Sequence, residues 1–174
     1  SRLGEPVETG RGLPGDPDDG QSRYIEAAVC GILIGNLYLP NGNPWPGPKF
    51  DYKLKWLDRL HAHARHLADG GLPAILMAHS NVIPTEQDVY KPERWAKDAL
   101  FSPQARQKFT ELVDQGWTDA IRTLHPKERI YTFWHYWRNW FERDAGIRID
   151  HFLLSPPLAK KLNRVGVDRE PRGW

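Results

Sequence analysis

From Arg23 to Leu39 the apolar positions follow a strand-like pattern, Tyr24, Ile25 and Val29, then Ile32, Leu33, Ile34, Leu37, Tyr38 and Leu39, broken at Cys30-Gly31. This predicts two adjacent strands joined by a hairpin turn. Pro40 to Pro48, PNGNPWPGP, stops the second strand, because proline cannot donate to a ladder and Asn-Gly favours turns, and a long loop follows. Phe50, Leu54, Leu57, Leu60 or His61, Ala64, Leu67 and Ala68 then recur at spacings of three and four, with Gly70-Gly71 just beyond. The pattern predicts an amphipathic helix of about five turns with a glycine stop. Pro73-Ala74-Ile75-Leu76-Met77-Ala78 is an unbroken apolar run, as in a strand covered on both faces. Strand, helix, strand makes one βαβ-type crossover, so the fold class is α/β.

Further along, Pro103 to Gln115 predicts a second helix, with Ala105, Phe109, Leu112 and Val113 inward and Gly116 as its stop. Ile130 to Trp134 and Ile147 to Leu154 predict strands, Pro156 to Leu162 a short helix, and Val165 to Arg169 a last strand. The first twenty residues hold five Gly and three Pro and no hydrophobic period, so residues 1–22 are expected to be a loop or extended arm. No internal repeat or linker divides the sequence.

Composition narrows the class. A chain of 174 residues that is 40% hydrophobic buries one core, which makes residues 1–174 a single domain. One cysteine makes no internal disulfide, so a reducing, cytoplasmic compartment is expected. The apolar run from Val29 to Leu39 is far shorter than the ~20 residues of a membrane span, and no membrane partner is expected. Charge is uneven: residues 1–30 carry 3 basic and 6 acidic groups, residues 120–174 carry 11 and 6. A polyanion would prefer the C-terminal part.

Functional groups in α/β sheets gather in loops at the carboxyl ends of strands. Three such places hold polar clusters: Asn41-Gly42-Asn43, His79-Ser80-Asn81 and Arg148-Ile149-Asp150-His151. His61, His63 and His66 fall at a helix end, where cations suit the dipole better than a zinc site would suit them, since no acidic third ligand stands nearby. His79 directly follows a buried strand, and is either an incidental loop histidine or a base, ligand or donor near neutral pH. Tyr131, Phe133, Trp134, Tyr136, Trp137 and Trp140 place six rings in ten residues, beside Arg138, Arg143 and Arg148. That density suits nucleotide stacking and equally suits core packing.

Several stretches taken together resemble a known family. Leu37-Tyr38-Leu39-Pro40-Asn41-Gly42-Asn43-Pro44 with KFDYKLKWLDRL from Lys49 to Leu60, Asn81-Val82-Ile83-Pro84-Thr85-Glu86, Tyr131-Thr132-Phe133-Trp134, and Arg148-Ile149-Asp150-His151 with Leu153-Leu154-Ser155 are similar to the exonuclease III branch of AP endonucleases, in the endonuclease/exonuclease/phosphatase superfamily. The resemblance implies part of a two-sheet α/β sandwich with helices on its outer faces. It also implies Mg²⁺-dependent phosphodiester hydrolysis in DNA repair, at abasic sites in duplex DNA or at 3′ ends. Carried over residue by residue, Tyr38 resembles a tyrosine that contacts the phosphate, Asn81 an asparagine whose amide meets the scissile group, and Asp150 an aspartate that orients the catalytic histidine. Asn41 resembles a DNA-backbone contact, and Phe133 and Trp134 lie where the family walls its abasic-sugar pocket.

The departures change what is expected. Where the family reads Gly-Asp-x-Asn, this chain has Ala78-His79-Ser80-Asn81, so His79 stands in the place of an aspartate, and His135 replaces another after the Phe-Trp pair. The family's N-terminal strands, with an asparagine and a metal-binding glutamate, and its C-terminal Ser-Asp-His segment have no counterpart, which leaves Asp150 without a histidine to orient. Neutral imidazole is a poor substitute for the hard oxygens that Mg²⁺ prefers. The sequence therefore predicts an exonuclease III-type DNA repair nuclease that is inactive or impaired as this chain. The alternative is a noncatalytic DNA-binding or partner-binding relative, and a phosphorylated lipid or inositol substrate fits the Tyr-Thr-Phe-Trp and Arg-Ile-Asp stretches less well. Missing outer strands expose one side of a layered core, so marginal stability, or another chain that completes the sheet, is also expected.

Overall fold

The computed structural model describes residues 2–173. In chain order its regular elements are β1 (Val7–Arg11), β2 (Tyr24–Val29), β3 (Ile32–Tyr38), α1 (Pro48–Asp69), β4 (Ala74–His79), α2 (Pro103–Asp114), β5 (Thr118–Asp119), α3 (Ala120–Leu124), β6 (Asp150–Leu154) and α4 (Pro156–Ala159). The strands form one mixed six-stranded sheet in the order β1-β2-β3-β4-β6-β5.

The hairpin forms where the pattern broke. Val29 stands opposite Ile32, and Cys30 and Gly31 take φ of 50° and 72°, a two-residue turn whose twist matches its strands. Pro48 opens α1, where a missing N–H costs nothing, and Gly71 at φ 66° follows its end. The helix returns the chain so that β4 lies parallel to β3, from Leu33 opposite Ala74 to Tyr38 opposite His79. β6 completes the centre, antiparallel to β4, with His79 opposite Asp150.

Strand alternation then sorts the sheet into two unlike faces. Tyr24, Leu37, Leu76, Ala78 and Leu153 point toward the helices and are buried with Phe50, Trp56, Leu57 and Leu60 of α1 and Phe109 and Leu112 of α2. His61 ties the two helices by a 2.7 Å bond to the Lys108 carbonyl, while His63 meets the Tyr24 hydroxyl at 2.9 Å and the Glu26 carboxylate at 3.1 Å. On the other face Ile25, Asn36, Met77 and Phe152 stand in one row across four strands. They floor a concavity of about 700 Å³, and Phe152 there remains 44% exposed. The fold is thus α/β as expected, with helices on one face of the sheet and an open second face of the kind a sandwich covers.

Four expectations need correction. Val7–Arg11, inside the predicted arm, joins the sheet edge against β2, with an irregularity between Glu8 and Gly10. Ile130 to Trp134 is not a strand: Tyr131 and Trp134, three apart, are both buried, which defeats alternation, and a single bridge joins Phe133 to Ile147. Val165 to Arg169 runs without strand pairing among the described residues, and β6 starts at Asp150 rather than Ile147 because Arg148 turns inward instead of entering the ladder.

The two faces should respond differently to truncation. Leu76→Ala, at a fully buried position, should cost about 2–5 kcal/mol in urea unfolding. Phe152→Ala, on the open face, should cost less than about 1 kcal/mol. Equal losses would mean that the second face is packed in solution.

Candidate functional site

Parity and register bring three predicted residues into one row. Tyr38 ends β3, His79 ends β4 and Asp150 begins β6, and each stands opposite the next across the sheet. His79 Nδ1 lies 2.8 Å from Asp150 Oδ1. Because a carboxylate only accepts, Nδ1 carries the proton and Nε2 faces away from the carboxylate. Among the described residues Nε2 has no hydrogen-bond partner. The Tyr38 ring stacks on the imidazole, with centroids 4.7 Å apart and planes 13° apart, and the Arg23 guanidinium lies 5.5 Å over Tyr38. Thr132 Oγ1 accepts from the backbone N–H groups of Ile149 and Asp150 at 3.1 and 3.0 Å, which fixes the start of β6. The expectation that Asp150 lacks a histidine to orient is therefore corrected: it orients His79.

Tyr38 and His79 form the boundary between the 700 Å³ concavity, which Asp150 also lines, and a second cavity of about 310 Å³. The smaller one gathers Asn41, Asn81 and Phe133 from the predicted set. Asn81 takes φ 47°, a left-handed conformation that Asn tolerates, and its Nδ2 donates to the Leu39 carbonyl at 2.7 Å. Asn41 Oδ1 accepts from the Asn43 N–H at 3.2 Å. Trp134 is not part of this cavity. It is buried, its Nε1 donates to Asp144 at 3.1 Å and its ring meets Phe141 edge-on, so it supports the following loop from inside.

Two residues not singled out by motif, together with the His135 that replaces an aspartate, also shape the cavity. Trp95, Asp98 and His135 line it, and His135 stacks on Trp137 with centroids 4.5 Å apart. Burial holds the His135 imidazole below its ordinary range against the opposing charge of Asp98. Beneath the cavity Lys53 reaches the carbonyls of Asn41, Asn81 and Ala99. A lysine on the apolar side of a helix, between Phe50 and Leu57, was the one available signal.

Arg148 anchors the strand that carries Asp150. Its Nε donates to Asp88 at 2.6 Å and its Nη1 to both Asp119 oxygens at 3.0 and 2.7 Å, with all three residues buried. Burial alone would raise both carboxylates. The Arg148 bonds hold Asp88 below its usual range, and His151 with Arg148 does the same for Asp119.

The donor set does not suit a hard divalent cation. Among the described residues no group of three or more His, Cys, Asp or Glu could hold a metal ion, and Asp150, the carboxylate in the row, faces an imidazole. No helix among them is long and apolar enough to cross a membrane.

Comparison with known proteins was made on this framework. Residues 5–172 match the Endonuclease/Exonuclease/phosphatase family. The DNA repair nuclease APEX1 of Danio rerio is 32% identical over 159 residues, which is 91% of this chain and 51% of that protein. Among solved structures, an AP endonuclease from Archaeoglobus fulgidus superposes with a TM-score of 0.92 at 34% identity, covering 98% of this chain and 66% of that one. The 3′ phosphatase NExo from Neisseria, bound to a product DNA hairpin, gives 0.92 at 38% identity, covering 97% and 66%. The chain thus spans about half to two thirds of the relatives it matches.

Replacing Arg148 removes the cation shared by two buried carboxylates and leaves Asp88 to Arg122 and Asp119 to His151. Arg148→Met should cost about 3–5 kcal/mol near neutral pH, read by urea unfolding. Because both carboxylates are depressed in the folded state, the network's contribution is complete above about pH 4 and is lost as the pH falls below it. The variant's stability should therefore fall less steeply in acid than that of the parent chain.

Proposed function

The chain belongs to the endonuclease/exonuclease/phosphatase family, and from that footing we propose that it is a DNA repair phosphodiesterase of the exonuclease III type that grips a DNA phosphate beside Tyr38, His79 and Asn81. As this chain it binds abasic duplex or 3′ ends and hydrolyses them poorly or not at all. The observation that carries the reading is the Tyr38, His79, Asp150 row, whose first two members stand between the 310 Å³ cavity and the larger concavity.

Each side chain has a part in that reading. The Tyr38 hydroxyl supplies a donor for phosphoryl oxygens, with Arg23 behind it contributing positive charge, and His79 Nε2, whose lone pair is free because Nδ1 carries the proton, offers an acceptor for a water beside the phosphate. Asn41 and Asn81 offer neutral polar contacts that need no counter-ion. Phe133 and Trp95 make an apolar wall suited to a sugar that lacks its base.

The impairment follows from the same geometry. An aspartate in the position of His79 would add a second anion beside Asp150, whereas the imidazole donates its Nδ1–H to Asp150 and adds none. Loss of one positioned acid or base costs on the order of 10²–10⁴-fold, and the residues present form no divalent-cation site through which that loss is recovered. The open row of Ile25, Met77 and Phe152 further supports a reading in which a second β-layer, on another polypeptide or segment, completes the enzyme.

The test is a duplex carrying one abasic analogue, incubated with the chain and Mg²⁺. Binding that weakens with salt, as phosphate contacts require, should occur with no cleavage above a no-protein control. Cleavage at the analogue would overturn the claim of impairment. Absence of salt-dependent binding would overturn the DNA reading itself.

A further inference from the structure

The cavity assigned above to a DNA phosphate is held together from below by a residue that the proposed chemistry does not use. Lys53 lies one turn and a half into α1 and has no exposed surface. Its Nζ donates to the carbonyls of Asn41 at 3.1 Å, Asn81 at 2.7 Å and Ala99 at 3.2 Å. These carbonyls come from three separate loops, after β3, after β4 and before α2, and all three loops contribute to the cavity wall.

The match is stoichiometric. An ammonium has three N–H donors and no lone pair, and here it meets three backbone acceptors; a neutral amine has two donors and a lone pair. On losing its proton, Lys53 must therefore release one carbonyl and present a lone pair to an oxygen. The two longer bonds, to Asn41 and Ala99, are the ones placed to yield. The stem is also built in: a Cβ on Gly42, at φ 90°, would lie 2.7 Å from Lys53 Cδ, so the Asn41 loop closes over the lysine only because residue 42 has no side chain.

We propose that Lys53 is a positioning residue for this cavity, a three-point clamp that fixes the Asn41, Asn81 and Ala99 loops while it is an ammonium and slackens when it becomes an amine. Its burial excludes direct contact with substrate, so it acts through the asparagines above it. The charged group that faces it is Asp98, on the Ala99 loop, whose carboxylate is already engaged by Asn43 Nδ2 at 3.0 Å and the Leu100 N–H at 2.8 Å. Gly42, whose Cβ position meets the Lys53 stem, Ala99 and Phe50 together, does not titrate, and neither do those two neighbours. Burial lowers Lys53 to about 7 against the opposing pull of Asp98. The clamp therefore changes state near neutral pH.

The experiment follows backbone amide signals of Gly42, Asn43 and Ala99, and the Lys53 Cε signal, by NMR across about pH 6 to 9 in the DNA-free chain. One shared transition is expected in the parent chain. It should vanish in Lys53→Met, which has no proton to lose, and in Lys53→Arg, whose guanidinium stays charged. A parent chain without the transition, or a transition that survives either substitution, overturns the proposal. Should the substituted chains not fold, the Cε signal of the parent decides alone: it must move together with the loop amides, and independent movement refutes the clamp. A second arm measures abasic-duplex affinity at constant salt, where the apparent Kd should rise about tenfold per pH unit above the transition. If the loops titrate as stated and no duplex binds at any pH, the clamp stands and the DNA reading falls.

Discussion

Side-chain alternation in a sheet whose register is fixed governs this molecule. Tyr38, His79 and Asp150 share a face because they stand opposite one another on adjacent strands, and their immediate neighbours Leu37, Ala78 and His151 are buried on the other face. A slip of one residue in any of these strands would trade a core residue for a site residue. The helices enforce the register: Trp56, Leu57 and Leu60 of α1 accept one parity of β3 and β4 and exclude the other. Site geometry is thus a by-product of core packing, and the open face exists because the helices use the opposite one.

Within that frame, one substituted position changes the electrostatics of the row. His79 is not isolated, because Asp150 accepts a hydrogen bond from its Nδ1–H at 2.8 Å and the Tyr38 ring covers one side of the imidazole. A paired histidine of this kind has a fixed tautomer and a fixed plane, so Nε2 is directed rather than mobile. What it gives up is negative charge. The row carries a single carboxylate, hydrogen-bonded to an imidazole, which opposes an incoming phosphate less than two carboxylates would and disfavours a hard cation.

The sequence made much of this legible, for physical reasons that differ by element. The hairpin, α1 and β4 were readable because their periods are long and their stops are glycine and proline, local signals that tertiary contacts did not override. That Tyr38, Asn41, His79 and Asn81 would gather near one end of the sheet was readable from their places at or just beyond the ends of β3 and β4. The failures lie where neighbours in space decide. Val7–Arg11 has no period of its own and is a strand only because β2 offers an edge. Tyr131 and Phe133 mimic alternation, yet Trp134 is drawn inward by Asp144 and Phe141. Lys53 drew no reading of its own, because its place on the apolar side of α1 does not foretell three carbonyls arriving from loops 12, 28 and 46 residues away.

The two buried cations, Lys53 and Arg148, solve different problems. Arg148 is matched by carboxylates, so its charge is cancelled locally and its role is to weld the Asp88 turn, β5 and the start of β6. Lys53 is matched by neutral carbonyls, so its hydrogen bonds are satisfied while its charge is not, and burial weighs on it accordingly. A carboxylate in place of any one carbonyl would relieve that cost and hold the loops more firmly. It would also put an anion beneath the lip where Asn41 and Asn81 face the cavity, and an anion there opposes phosphate. Carbonyl partners leave the charge of the ammonium unmatched beneath Asn41 and Asn81, at the expense of a lysine whose burial loosens its hold on its proton.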